Sequence, residues 1–370
     1  MLAIYRKYRP KNLSEIFGQE ETIKILQSSA AEGKISHAYL FYGPRGTGKT
    51  TTARIFSKVV NCQKRQEDSS FFKKGEPCNQ CLVCHQIDDG QALDIIEIDA
   101  ASNRGIDEIR DLKEKVKTLP VYYKYKVFII DEVHMLTPQA FNALLKTLEE
   151  PPSYVIFILA TTEYEKLPAT IVSRTQRFYF RKLTLQEITK KLELISEKEK
   201  ISFEKEALEM IAYLADGSLR DAESLLDQII SLKGKKVTVD YVETILGKVG
   251  FMKVIKMAEF ILKKDLKEAL NFLYEINNEG HNLFQFNKDL TEYLRRILSL
   301  SLNPQLEKIF EKEISQSQLK EIKKQSTKID TSYLIKVIKS LIEAYSQMRY
   351  NPFPIVPFEV ALIENLREKE

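Results

Sequence analysis

The chain has 370 residues, of which 44% are hydrophobic and 29% charged, and a formal net charge of +4. That length suits two or three globular domains, and so small a positive surplus does not by itself point to nucleic acid. No apolar run approaches the ~20 residues of a spanning helix, and the opening Met1–Lys7 lacks the apolar stretch of a signal peptide, so a cytoplasmic protein with no membrane partner is expected.

In chain order, Ala38–Tyr42, Asp94–Ile98, Lys126–Ile130 and Tyr154–Ala160 are short apolar runs, predicted as strands buried on both faces. Helical patterns separate them. Between the last two runs, Phe141, Leu144, Leu145 and Leu148 recur at helical spacing until Pro151-Pro152 stops the helix. Strands alternating with helices predict a parallel sheet with right-handed crossovers. The pattern changes near Arg177–Leu183. Thr184 is positioned to cap a helix, and everything after it has a helical period. Ala222, Leu225, Leu226 and Ile229 form one apolar face, and Ala258, Ile261 and Leu262 belong to another. These patterns predict an α/β domain over 1–178, a small helical domain over 179–244 and a larger helical domain over 245–370. The polar stretch Asn303–Asp330 is expected to form surface helices with a loop.

Gly43-Pro44-Arg45-Gly46-Thr47-Gly48-Lys49-Thr50 fits G-x-x-x-x-G-K-[ST], between a predicted strand and a predicted helix. Its glycines let successive backbone N–H groups turn around phosphate at a helix N-terminus. Lys49 is then the group for the β- and γ-phosphates, and Thr50 a ligand for Mg²⁺. Asp131 and Glu132 end the third apolar run, where open α/β sheets place their ligands. Asp131 is the candidate Mg²⁺ ligand and Glu132 the candidate base for the attacking water. Thr161 and Thr162 end the next run, where a hydroxyl can align that water. Arg174 and Arg220 follow; on residue chemistry alone each reads as a surface ion pair. His37 and His134 read as packed or hydrogen-bonded, and His281 as exposed.

Cys62, Cys78, Cys81 and Cys84 give C-x15-C-x2-C-x2-C, spacing that suits a tetrahedral four-thiolate zinc site. Four thiolates leave no open position, so such a metal is structural. Disulfides and an iron–sulfur cluster are the alternatives, although the fourth ferredoxin cysteine and its proline are missing. The Gln63–Pro77 insert is long for such a module.

Several segments occur together in order: Arg6-Lys7-Tyr8-Arg9-Pro10, Phe17-Gly18-Gln19, His37–Phe41, the phosphate loop, Ile96–Ser102, Ile130–Leu136 and Phe141–Pro152. Over about residues 1–230 the chain thereby resembles the gamma/tau subunits of bacterial DNA polymerase III, which are AAA+ clamp-loader ATPases. The resemblance implies an ATPase domain with an inserted zinc module, a helical lid and a helical collar that assembles the oligomer. It implies that Thr162 and Arg220 act as the two sensors and that Arg174 is a finger entering a neighbour's site. It further implies an ATP site that adds Arg9, Ile16, Phe17 and Thr51 to the phosphate loop, and it places Arg104 toward DNA. It favours zinc over the alternative occupants of the cysteines. Partners would be copies of the chain, delta and delta-prime subunits, the sliding clamp and primer-template DNA held through its backbone. The family has a longer form with extra domains and a shorter form; the length here suits the shorter form or a piece of the longer one.

Four other functions compete. A DExH helicase needs a second motor domain with Gly-Arg motifs, and no Gly-Arg pair occurs. A non-hydrolysing structural subunit of the same loader would have a degenerate phosphate loop, whereas Lys49, Thr50, Asp131 and Glu132 are all present. A zinc-finger DNA reader would need a base-reading helix beside Cys78–Cys84, and none is evident. Other AAA+ DNA-processing ATPases share the ATP site but lack the cysteine module.

Overall fold

Five strands, β1 (Ala38–Tyr42), β2 (Ile95–Asp99), β3 (Lys126–Asp131), β4 (Val155–Thr161) and β5 (Gln176–Tyr179), form a sheet in the order β2-β3-β4-β1-β5. Every pairing is parallel, with Ala38 opposite Phe157 and Val127 opposite Ile156. The computed structural model describes residues 3–232, 236–246, 251–314, 316–327 and 329–367. They form two units, one within 1–191 and 215–227, the other within 192–214 and 228–370.

Alternation along the strands builds a core on each face of the sheet. Tyr39, Phe41, Val127, Ile129, Ile156 and Ile158 pack with the helices Glu20–Ala31 and Lys49–Asn61. Leu40, Phe128, Ile130, Phe157 and Leu159 pack with the helices Ile106–Lys117 and Pro138–Glu149. The central strands β1, β3 and β4 are buried on both faces, as their apolar runs predict.

One expectation needs correction, and one strand was not anticipated. β2 is an edge strand and only partly buried; among the described residues no strand pairs with its outer side. β5 is the opposite edge; with Phe178 as its only buried residue it has no apolar run by which to be read.

The helix Pro138–Glu149 is capped by Thr137, whose hydroxyl accepts from the Ala140 N–H. Thr184 opens the helix Leu185–Glu199 with a reciprocal box: its Oγ1 accepts from the Glu187 N–H (3.2 Å), and the Glu187 carboxylate accepts from the Thr184 N–H (2.8 Å).

Against the wholly helical pattern expected after Thr184, the described residues of the second unit also hold a parallel pair, Ser202–Phe203 with Lys236–Val237, beside their helices. Helices Phe251–Lys263, Leu266–Asn278, Leu283–Leu302, Thr331–Met348 and Ile355–Leu366 share one core that includes Ala258, Ile261, Phe286, Leu290, Leu341 and Phe358. The polar stretch forms helices Glu307–Glu313 and Gln316–Ser326, whose Phe310, Leu319 and Ile322 turn into that core. The expected division at 244/245 falls within the helix Val239–Leu246, and residues 247–250 after it lie outside the described residues.

Candidate functional site

The loop from Gly43 to Gly48 leads from β1 into the helix Lys49–Asn61, and three of its positions need glycine. Gly43, Gly46 and Gly48 have φ of 139°, 73° and 103°. At Gly43 a Cβ would lie 2.0 Å from the Phe180 carbonyl oxygen, and at Gly46 it would lie 1.9 Å from Ser218 Oγ. Thr47 Oγ1 donates to the Pro44 carbonyl (2.8 Å) and stiffens the turn. Lys49 is 5% exposed, and its ammonium donates to the carbonyls of Gly43 and Pro44, both at 2.8 Å. Burial lowers the Lys49 pKa, and the Glu132 and Asp131 carboxylates oppose that shift. Arg45 reaches toward Asp221 (3.9 Å) with its side chain largely in solvent, and Thr51 is half-buried in the helix.

The strand ends bring the acids to this loop. Thr50 Oγ1 donates to Asp131 Oδ2 at 2.7 Å, which joins the two expected Mg²⁺ ligands. Glu132 has a left-handed backbone, φ 48°, and its carboxylate accepts from both the Thr162 hydroxyl (2.8 Å) and the Thr162 N–H (3.2 Å). The expected base and the expected sensor hydroxyl are therefore in direct contact. Thr161 is fully buried and shares a hydrogen bond with His134 Nδ1 (2.9 Å). His134 Nδ1 also lies 3.4 Å from Glu132 Oε2, and its Nε2 lies 3.3 Å from Glu163 Oε1. This histidine is buried and hydrogen-bonded, as expected, but against the base.

Residues of the N-terminal segment and the 215–227 segment meet beside the loop. Ile16 is buried, with its Cγ2 3.8 Å from where a Gly48 Cβ would stand. The Lys191 ammonium lies over the Phe17 ring (5.1 Å), and the Arg220 guanidinium over Tyr5 (5.5 Å). Arg9 is desolvated, which lowers its pKa; Arg54, Arg220 and Arg6 push the same way and Glu97 opposes them. Leu219 N–H donates to the Gly46 carbonyl at 3.1 Å, so the helix Leu219–Leu232 starts on the phosphate loop. Gln19, which residue chemistry alone does not single out, ties the loop to the end of the sheet. Its amide donates to the Thr47 (3.4 Å) and Arg181 (2.9 Å) carbonyls and accepts from the Arg181 N–H (3.1 Å).

Arg174 and Arg104 stand apart from this cluster. Arg174 pairs with Glu149 (2.5 Å) and donates to the Thr170 carbonyl (2.8 Å), with a third of its side chain exposed. Arg104 is exposed, and its Nε donates to the Ala101 carbonyl at 2.9 Å. Two histidine expectations are corrected. His37 is exposed at the start of β1. His281 is only 12% exposed, held between Lys253 (2.9 Å) and Glu279 (2.8 Å).

The four cysteine sulfurs lie within 4.8 Å of one another, and none is in a disulfide. Four thiolates about 2.3 Å from one Zn²⁺ would stand about 3.8 Å apart, and Cys78 Sγ and Cys84 Sγ are already at 4.0 Å. Backbone N–H groups point at the sulfurs: Cys78 N at Cys62 Sγ (3.4 Å), and Gln80 N and Cys81 N at Cys78 Sγ (3.4 and 3.2 Å). The Cys84 thiol, helped by the Cys78 and Arg65 N–H groups, lowers the Cys62 pKa, and the same contact with burial raises that of Cys84. The donor set fits a tetrahedral zinc ion. The long insert is not loose: it forms the helices Gln63–Glu67 and Ser69–Phe72. The buried Arg65 donates to the Ala30 carbonyl (2.8 Å), and Glu76 accepts from the N–H groups of Leu13 and Ser14, both at 2.8 Å.

Three family models match the chain: DNA polymerase III, delta subunit, over 18–184; DNA polymerase III clamp loader subunit, ATPase lid domain, over 187–235; and DNA polymerase III subunits gamma and tau domain III, over 237–368. DNA polymerase III subunit tau of Bacillus subtilis is 44% identical over 98% of this chain, which spans 62% of that relative's length. DNA polymerase III subunit gamma of Buchnera aphidicola from Acyrthosiphon pisum is 35% identical over 97% of this chain and 96% of its own length. Among solved structures, the Thermotoga maritima RuvB Holliday junction branch migration motor aligns over 69% of this chain and 79% of its own, with 21% identity and a TM-score of 0.46.

Proposed function

We propose, from the premise that the chain belongs to the gamma/tau family of DNA polymerase III subunits, that it is an ATPase motor subunit of a clamp loader. In this reading ATP binding and hydrolysis drive opening of a sliding clamp and its loading onto primed DNA. The observation that carries it is the pair of contacts Thr50–Asp131 and Glu132–Thr162 beside the buried Lys49. A non-hydrolysing subunit has no use for that set.

Thr50 and Asp131 are the proposed holders of Mg²⁺, which when bound supplies positive charge against the triphosphate. Lys49, now occupied by two loop carbonyls, would exchange them for the β- and γ-phosphate oxygens. Glu132 would take the proton of the attacking water, and the Thr162 hydroxyl that now holds its carboxylate would orient that water. Arg220 acts from the lid within the same chain. Arg174 would leave Glu149 to reach the γ-phosphate bound by a neighbouring subunit, adding charge only when subunits are docked. Zn²⁺ is the proposed occupant of Cys62, Cys78, Cys81 and Cys84, where it cross-links the insert. The proposed division is an ATPase domain over 1–178, a lid over 179–244 and a collar over 245–370. Copies of the chain, delta-type and delta-prime-type subunits, the clamp and primer-template DNA are the proposed partners, with Arg104 the candidate contact to a DNA phosphate.

The test is ATP turnover by the loader assembled with this chain, with and without sliding clamp and primed DNA. Turnover stimulated by clamp and DNA is expected. Tight ATP binding without turnover in the full assembly would leave the structural-subunit reading instead.

A further inference from the structure

Glu223 is a buried carboxylic acid that the mechanism above does not use. It is 6% exposed, and no described residue gives its carboxylate a hydrogen bond; only the charges of Lys191 and Arg9 act on it. Both of those groups belong to the cluster beside the phosphate loop. Lys191 lies over the Phe17 ring at 5.1 Å, and Arg9 lies within electrostatic reach of Arg220. The backbone supplies the direction. Leu219 is bonded to Gly46, and the Arg220 Cβ stands 3.4 Å from where a Gly46 Cβ would be, so the first turn of the helix Leu219–Leu232 sits on the phosphate loop. Glu223 is three residues on from Arg220, on the same face and about 5 Å further along the axis. It lies away from the phosphates and toward the Phe17–Lys191–Arg9 group. In such a place the ionised form is costly, and a group that donates to it would stabilise it.

We propose that Glu223 reads the base of the bound nucleotide: its carboxylate accepts a hydrogen bond from the exocyclic amine of a 6-aminopurine. Adenine presents that donor, and guanine presents a carbonyl oxygen at the same position. An ionised carboxylate has no proton to offer guanine O6 and repels it. The residue is therefore a specificity determinant of the ATP site proposed above, and it rests on that reading. Burial pushes the free acid up to about 7, against the pull of Lys191 and Arg9. A donor on the carboxylate favours its ionised form, so adenine binding near neutral pH expels a proton that guanine binding does not.

The experiment is calorimetric titration of the full chain with Mg·ATP and Mg·GTP. The wild-type chain is expected to prefer ATP by about tenfold or more, the worth of one hydrogen bond to a charged group. Glu223→Gln should narrow that preference, because an amide can turn its N–H₂ toward guanine O6. Glu223→Leu should weaken ATP while leaving GTP almost unchanged. An unaltered ATP-to-GTP ratio in both variants, at wild-type melting temperature, overturns the proposal. If instead wild-type and Lys49→Ala chains bind ATP equally well, the nucleotide-site reading itself has failed. Should the variants not fold, the wild-type chain still decides: titrations at pH 7 in two buffers of different ionisation enthalpy give the protons released. The two triphosphates titrate alike, so greater release with ATP than with GTP is expected, and equal release overturns the assignment.

Discussion

Lys49 and Glu132 sit in one site and should fail in different ways when replaced. The Lys49 ammonium is a buried point charge held by two carbonyls, and nothing else in the loop carries a positive charge to the same spot. Lys49→Ala should weaken ATP binding by about a hundredfold or more, as expected for losing charge-assisted hydrogen bonds to phosphate. Glu132→Gln keeps the shape and can still accept from the Thr162 hydroxyl, but it removes the basic oxygen. Binding should persist while turnover falls by about 10²–10⁴; rapid-quench hydrolysis beside equilibrium ATP binding separates the two effects. Glu223 gives a residue-scale prediction of a different kind. Its pKa rises from 4.5 to about 7 on folding, so its ionised form is disfavoured in the folded chain. Without nucleotide, wild-type stability should fall as pH climbs through that window, by up to about 3 kcal/mol at 1.4 kcal/mol per pH unit. Glu223→Gln does not titrate. Its melting temperature should exceed the wild-type value at pH 8, and the gain should disappear below about pH 4.5.

Among the elements, the cysteine insert is tied most closely to the helix that follows the phosphate loop. That helix ends at Asn61, directly before Cys62. Its buried Lys58 holds the module through Asn79 Oδ1 (2.8 Å) and Asp88 (2.8 Å), and the N-terminal segment through the Lys11 carbonyl (3.0 Å). The far end of the helix carries Lys49 and Thr50, so module and loop share one rigid rod about 20 Å long. Rigid as it is, the rod does not make the loop's fold depend on the metal, because Gln19 and Phe180 brace the loop separately. One equivalent of zinc is expected by elemental analysis. Cys81→Ser should release it and lower the melting temperature, with ATP affinity kept within about tenfold. Iron, or folded protein without metal, would remove the assignment.

At the scale of the whole molecule, the decisive residue is Arg174. In the single chain it is a half-exposed ion pair with Glu149, which is how an isolated sequence reading takes it. A finger across an interface contributes only in the docked oligomer, where such groups in other nucleotide hydrolases are worth about 10³–10⁵ in rate. Arg174→Ala should leave nucleotide binding to its own chain nearly intact and impair hydrolysis next door. Mixing Arg174→Ala chains with Lys49→Ala chains should therefore restore some DNA-stimulated turnover, since an intact site then meets an intact finger. A mixture as inactive as Arg174→Ala alone, with assembly shown to be normal, would leave Arg174 a structural ion pair.

The residues that were legible in advance share a physical cause: a local backbone or a spacing that admits few side chains. Gly43, Gly46 and Gly48 are demanded by positive φ and by Phe180 and Ser218 at contact distance. The cysteine spacing brings four sulfurs within 4.8 Å of one another, and Asp131 and Glu132 stand at the end of a buried strand. The positive φ values, the close spacing of Cys78, Cys81 and Cys84 and the strand-end acids are set locally, so the phosphate loop, the carboxylates, the cysteine candidates and the alternation of strand and helix could be read from sequence. The Phe180 and Ser218 contacts, by contrast, come from distant segments. What tertiary structure decided is whatever depends on distant segments meeting. β5 has one buried side chain, and only its pairing with β1 makes it a strand. Gln19 and His134 are ordinary polar residues until the ends of β4 and β5 arrive beside them. Glu223 lies off the apolar face of its helix and reads as solvated. Its burial, and so its shifted acidity, arises only when that helix settles on the phosphate loop with Arg9 and Lys191 opposite.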